Sequence, residues 1–234
     1  MRFVIDHLVK SYGSKQVLKD VDFTFEEGRI YGLLGRNGSG KTTFFNCINR
    51  DVEYNSGEFY FEIDGKRKDP VPEDIGYVVS APVVPEFMTG REFLKFFIEV
   101  HEEITDVKPL DEYFDYMKIA EDDRDRLLRD YSHGTKNKMQ MLLNIIARPP
   151  LMLLDEPLTT LDVVVAEEMK DVFRKQKEGR ITIFSTHILD VAVDLCDEIV
   201  LLNHGRLEKI DINNLDDSEM KEKIINALKD QDDD

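Results

Sequence analysis

A chain of 234 residues is long enough for one large domain, or a core with a subdomain, and so for a sizeable buried interior. Fourteen Phe and eight Tyr in a 41% hydrophobic sequence argue against disorder, although 34% of the residues are charged. The formal net charge of −17, from 48 acidic and 31 basic residues, has the wrong sign for a nucleic-acid partner, and none is expected. Cys47 and Cys196, the only cysteines, lie far apart in no metal-ligand spacing and read as reduced thiols. Charge interrupts Met1-Arg2-Phe3-Val4-Ile5-Asp6-His7 too early for a secretory leader, and no stretch approaches the roughly 18 apolar residues that span a bilayer. The expectation is a cytosolic protein whose membrane role requires a partner.

The first third reads as short strands: Arg2–Val9, a turn at Ser11-Tyr12-Gly13-Ser14, and Asp20–Phe25 with Val21, Phe23 and Phe25 alternating. An apolar strand, Arg29–Leu34, leads through a glycine-rich segment into a helix from Lys41 to about Arg50. Strands are expected at Glu58–Ile63 and Ile75–Val79, with Asp64-Gly65 as a turn and prolines 70, 72, 82 and 85 marking loops. From Thr89 to about Leu128 the period becomes helical. Thr89 and Glu92 form a capping-box pair, and Phe93, Phe96, Phe97 and Val100 share one face. A second helix, Gly134–Ala147, stops before Pro149-Pro150. Leu151–Leu154, Ile181–Phe184 and Ile199–Leu202 then read as buried parallel strands alternating with helices, so the core is α/β. An acidic tail, 213–234, carries one weak helix, Ser218–Leu228, and no internal repeat is present.

Gly35-Arg36-Asn37-Gly38-Ser39-Gly40-Lys41-Thr42 fits G-x-x-x-x-G-K-[ST], and it stands between a strand and a helix as phosphate binding requires. Glycines turn main-chain N–H groups inward around phosphate oxygens, and the helix N-terminus adds a favourable dipole. Lys41 can bridge the β- and γ-phosphates, and Thr42 can ligate Mg²⁺. Leu151–Leu154 delivers two carboxylates at its end: Asp155 for the metal and Glu156 to orient or deprotonate water. Guanine specificity is disfavoured, because the only Asn-Lys, at Asn137-Lys138, lies in a helical stretch without the Asp of an Asn-Lys-x-Asp base reader.

With these residues in place, the chain up to about residue 212 resembles the ATP-binding-cassette (ABC) transporter ATPases. Tyr12 falls where that family stacks an aromatic on adenine, and Arg36 through Thr43 resembles its phosphate loop in detail. Tyr131-Ser132-His133-Gly134-Thr135 is similar to its Leu-Ser-Gly-Gly-Gln signature. Thr160-Leu161-Asp162 resembles its D-loop, and Ser185-Thr186-His187 its switch histidine, in the family's order. The resemblance implies a P-loop NTPase (RecA-like) core with an antiparallel β subdomain and an α-helical subdomain at about 81–148. It implies ATP and Mg²⁺ as ligands, a second ATPase chain, and a transmembrane permease subunit holding the protein at the inner face of the membrane. Ser132 and Gly134 of one chain would close over the γ-phosphate on the loop of another, with Asp162 in the D-loop and His187 near the reacting phosphate.

Two positions depart from the family pattern. Ser80 stands after the strand ending near Val79, where the family carries Gln, so metal sensing there would need a bridging water. His133 and Thr135 replace a Gly and a Gln in the signature, and this Tyr-Ser-x-Gly form tilts the expectation toward export. A translation-type or repair-type ATPase is disfavoured: there is no second cassette and no heptad arm, and the net charge is strongly acidic. A regulatory module without turnover is the remaining alternative.

Overall fold

The computed structural model describes residues 1–101, 104–159, 161–210 and 217–229. Thr160 of the expected D-loop, the domain limit at 212 and the tail residues 213–216 and 230–234 lie outside them.

Two strands open the chain, β1 (Arg2–Tyr12) and β2 (Lys15–Glu26), paired antiparallel about a turn that needs only Gly13 and Ser14. Tyr12, expected inside the turn, instead closes β1 opposite Lys15. The hairpin is longer than its apolar alternation suggested because ladder bonds continue through charged, exposed residues at both ends. β3 (Arg29–Leu34) leads to α1 (Lys41–Ile48), and β4 (Ser56–Ile63) with the three-residue β5 (Lys66–Lys68) completes an antiparallel sheet ordered β2-β1-β4-β5.

The second sheet adds β6 (Ile75–Val78), β7 (Leu151–Asp155), β8 (Ile181–Thr186), β9 (Glu198–Asn203) and β10 (Arg206–Ile210) to β3, in the order β10-β9-β3-β8-β7-β6. All neighbours are parallel except β10, which returns antiparallel along β9. β5 and β10 were not anticipated: Lys-Arg-Lys and Arg-Leu-Glu-Lys-Ile carry no strand pattern and are drawn in by the open edge of a neighbour.

Strand alternation splits the interior. Leu151, Leu153, Ile181 and Ile183 face a core shared with Phe3, Phe25 and Phe61 of the antiparallel sheet, and Phe44, Phe45, Cys47 and Ile48 of α1 fill the space between the sheets. Met152, Leu154 and Phe184 face the opposite core, built with α2 (Gly90–Val100), α3 (Leu110–Tyr116), α5 (His133–Ala147) and α6 (Val163–Gln176), while the short α4 (Glu121–Arg124) lies against α2. A smaller core joins α7 (Leu189–Leu195) and α8 (Asp217–Lys229) to β9 and β10.

The capping box of α2 is present: Thr89 Oγ1 accepts from Glu92 N at 3.1 Å, and Glu92 accepts from Thr89 N at 2.8 Å. Its buried face differs from the expected one. Leu94 is fully buried, with Phe93, Phe97 and Ile98 packed around that core, whereas Phe96 and Val100 are half exposed. The stripe is rotated by about one residue because the helix packs on α3, α4 and α5 together, a constraint its own periodicity does not contain.

Candidate functional site

Because β3, β7 and β8 run parallel, their carboxyl ends meet at one edge of the sheet, which is where the loop Gly35–Gly40, Asp155-Glu156 and His187 are delivered. Gly40 caps α1 at φ 108°, a left-handed backbone, and a Cβ there would lie 2.7 Å from Val17 Cγ1. Gly35 is fixed by close approach: a Cβ would stand 2.4 Å from Ser39 Oγ. The Ser39 hydroxyl is buried in this loop with no hydrogen-bond partner.

Lys41 opens α1 and is only 6% exposed. Its Nζ donates to Gly35 O at 2.8 Å and Arg36 O at 3.3 Å, and lies 3.6 Å from Glu156 Oε1. Burial pulls the ammonium below lysine's usual pKa, opposed by the carboxylates of Glu156 and Asp155. One residue on, Thr42 Oγ1 donates to Asp155 Oδ2 at 2.8 Å, and Ser185 Oγ donates to Asp155 Oδ1 at 2.6 Å. Hydroxyl and carboxylate oxygens of this kind are the hard donors that suit Mg²⁺.

Glu156 has a left-handed backbone, φ 48°, uncommon for a residue with a side chain. Its N–H, directed at both Ser185 O (3.2 Å) and Ser185 Oγ (3.0 Å), holds that conformation. Its Oε2 lies 3.0 Å from His187 Nδ1 and accepts from Thr159 Oγ1 at 3.3 Å. A carboxylate thus sits between an ammonium and an imidazole, an arrangement able to accept a proton from water and keep the resulting charge local.

The expected residues largely converge. Tyr12, Asn37, Gly38, Gly40, Lys41, Thr42, Thr43 and Glu156 line one cavity of about 330 Å³, with Lys15 and Val17 of β2 completing it. Tyr12 is 49% exposed, and Lys10 Nζ stands 4.4 Å from its ring centre. Arg36 contributes its carbonyl, which also accepts from Ser39 N at 3.1 Å. Ser132 and Gly134 do not line this cavity: Ser132 is exposed and caps α5, its Oγ accepting from Thr135 N at 3.1 Å. Asp162 likewise caps α6 through Val165 N at 3.0 Å. Ser80 follows β6 and is exposed.

Three contributors were not assigned from sequence. Ser185, quoted only as part of Ser-Thr-His, holds both the Asp155 carboxylate and the Glu156 main chain. Thr159 braces Glu156, and Val17 forces glycine at position 40. The Ser-Thr-His run could have flagged Ser185; nothing local marks Val17, whose contact runs from β2 to the residue capping α1.

The chain matches the family model described as ABC transporter over residues 18–159. It is 34% identical over 210 residues to an uncharacterized ABC transporter ATP-binding protein, YdbJ, of Bacillus subtilis, covering 87% of this chain and 67% of that protein. Two further relatives carry names for different cargoes. One is a bacitracin transport ATP-binding protein of Bacillus licheniformis (31%; 89% of this chain, 69% of that protein). The other is a sulfate/thiosulfate import ATP-binding protein of Synechococcus elongatus (29%; 88% and 61%). Among solved structures, an ATP-binding subunit of an ABC transporter superposes with a TM-score of 0.82 at 26% identity, covering 97% of this chain and 99% of that one. A dimeric ATP-binding cassette bound to ADP and Pi shares the fold with a TM-score of 0.76 at 21% identity, covering 91% and 100%. The chain therefore belongs to the ABC transporter family, as a P-loop ATP-binding subunit that hydrolyses ATP.

Proposed function

We propose that this subunit powers a transmembrane permease by closing head to tail on a second ATPase chain, with two Mg-ATP molecules between them, and reopening on hydrolysis. The observation that carries the reading is the contact of Glu156 with both Lys41 and His187 beside the Thr42–Asp155 pair, all at the mouth of the glycine loop. In this reading the loop amides of residues 36–41 and Lys41 Nζ hold the β- and γ-phosphates. Lys41 exchanges its bonds to Gly35 O and Arg36 O for phosphate oxygens, and the unpartnered Ser39 hydroxyl gains an acceptor. Tyr12 stacks on the adenine. Thr42 and Asp155 hold Mg²⁺, which when bound neutralises phosphate charge. Glu156 takes the proton of the attacking water, and His187 positions Glu156 and the γ-phosphate.

The remaining calls describe surfaces. Ser132 and Gly134 at the exposed start of α5 are suited to cover a nucleotide held by another chain, with the dipole of α5 behind them. Val163 (79% exposed) and Val164 beside Asp162 are apolar surface suited to the same contact. Val83 and Phe87, exposed in the segment after Ser80, offer the permease an apolar foothold on the helical part, 81–148. Among the described residues no helix is long and apolar enough to cross a membrane, so attachment to the inner face runs through that permease. The Tyr131-Ser132-x-Gly134 signature supports export as the direction.

Steady-state phosphate release tests the reading. Turnover should fall roughly 10²- to 10⁴-fold in Glu156→Gln, with ATP binding kept and the variant trapped as an ATP-dependent dimer. Binding without any turnover, even with the permease present, would instead identify a regulatory module. Inverted vesicles carrying the permease should accumulate the cargo on ATP addition; loss of preloaded cargo would reverse the direction.

A further inference from the structure

At the opposite edge of the parallel sheet from the ATP site lies a second and larger cavity, about 580 Å³, within the range of small-molecule sites. Ile145 and Ile146, near the end of α5, give it an apolar floor. Tyr113 and Tyr116 of α3 line it, and Gln176 Nε2, at the end of α6, donates to Tyr116 Oη at 2.9 Å. One β8 length, about 20 Å, separates this edge from His187.

Two arginines meet here for a backbone reason. α5 stops at Arg148, left-handed at φ 49°, and Ile181 N donates to Pro150 O at 2.8 Å as β7 and β8 begin side by side. Arg148 is on the cavity wall, and Arg180, just before β8, does not line the cavity but sits within electrostatic reach of Arg148. Arg180 is only 5% exposed, its Nη1 is buried without a hydrogen-bond partner, and among the described residues no carboxylate pairs with it. Burial, then the adjacent Arg148, pulls its pKa below arginine's usual value, and Tyr116 opposes them. In a chain of net charge −17, a buried cation facing another cation instead of a carboxylate is costly unless an anion joins it. The carboxylates on the wall, Asp106, Glu112 and Asp115, come from the loop before α3 and from α3 itself, and Asp115 is already bonded by Arg124 at 2.5 Å.

We infer that this cavity binds an anionic amphiphile, a soluble phosphate monoester or carboxylate with an apolar tail, its head on Arg148 within reach of the Arg180 charge and its tail on Ile145, Ile146 and Tyr113. The site is independent of the nucleotide cavity and of the roles assigned there. Calorimetric titration of the full chain with octyl phosphate, octanoate, octanol and inorganic phosphate tests it. At least one of the two tailed anions should bind one per chain, unaffected by saturating Mg-ATP, and at least tenfold more tightly than octanol or phosphate alone. Arg148→Ala, at an exposed position and so tolerated by the fold, should weaken that binding at least tenfold, as should Arg180→Met if it folds. Absence of saturable binding by both tailed anions, equal binding of octanol, displacement by ATP, or full affinity in Arg148→Ala would each overturn the proposal.

Discussion

Thr42 Oγ1 and Asp155 Oδ2 lie 2.8 Å apart although 113 residues separate them, so the first turn of α1 and the end of β7 share one bond. The contact exists because β3 and β7 flank β8 in parallel, bringing the loop after one strand beside the carboxylate ending the other. Hard oxygens from two elements make a metal site that neither makes alone. Asp155→Asn should therefore raise the Mg²⁺ concentration for half-maximal ATPase activity roughly 10- to 100-fold. An unchanged Mg²⁺ requirement in that variant would place the metal elsewhere.

Lys41 spends its charge on Gly35 O, Arg36 O and Glu156, contacts that a triphosphate can replace. Removing the ammonium by Lys41→Ala should cost about 1.5–3 kcal/mol of nucleotide binding, a loss of roughly 10- to 100-fold in affinity, with turnover abolished. Fluorescent-nucleotide titration reads the first and phosphate release the second. Wild-type affinity and hydrolysis in this variant would remove the foundation of the functional reading.

Ser80 is exposed after β6 and does not line the nucleotide cavity. Ser80→Gln should leave Mg-ATP affinity within about threefold of wild type, since no nucleotide contact depends on the hydroxyl; a complete loss of binding would show that this loop is built into the site.

Cys47 is fully buried between the sheets, and burial pushes its thiol up to about 11. In the unfolded chain the same thiol titrates near 8.5. The unfolded state therefore loses this proton first as pH rises. The neutral thiol's contribution to stability is complete below about pH 8.5 and declines toward pH 11. Urea unfolding at pH 8 and pH 10 should show a steeper loss for wild type than for Cys47→Ala, and parallel losses would refute the assignment. At pH 8 the native thiol should also resist aromatic disulfide reagents.

The local chemistry was readable because it is local. Gly35–Thr42 specifies a phosphate loop through consecutive residues, and the apolar run before Asp155-Glu156 specifies a buried strand with carboxylates at its tip. Strand and helix centres followed from periodicity, and Arg29–Leu34 matched its observed limits. The failures share a cause. Phe96 and Val100 extend the apolar stripe of α2 on paper, but three neighbouring helices turn that helix about its axis and leave both half exposed. β5 and β10 exist because an adjacent strand offers unpaired backbone groups.

By itself, then, the amino-acid order determined an α/β nucleotide-binding chain, the phosphate loop and the paired carboxylates. Only the tertiary structure decided that Ser185 would brace both Asp155 and Glu156, that Val17 would bar any side chain at Gly40, and that Arg180 would be buried without a hydrogen-bond partner for its Nη1, within electrostatic reach of Arg148. Periodicity and motif report what residues a few positions apart require of their shared backbone. Contacts across 23 to 113 positions depend on strand order and register, which the pooled burial of two cores selects and no single segment encodes.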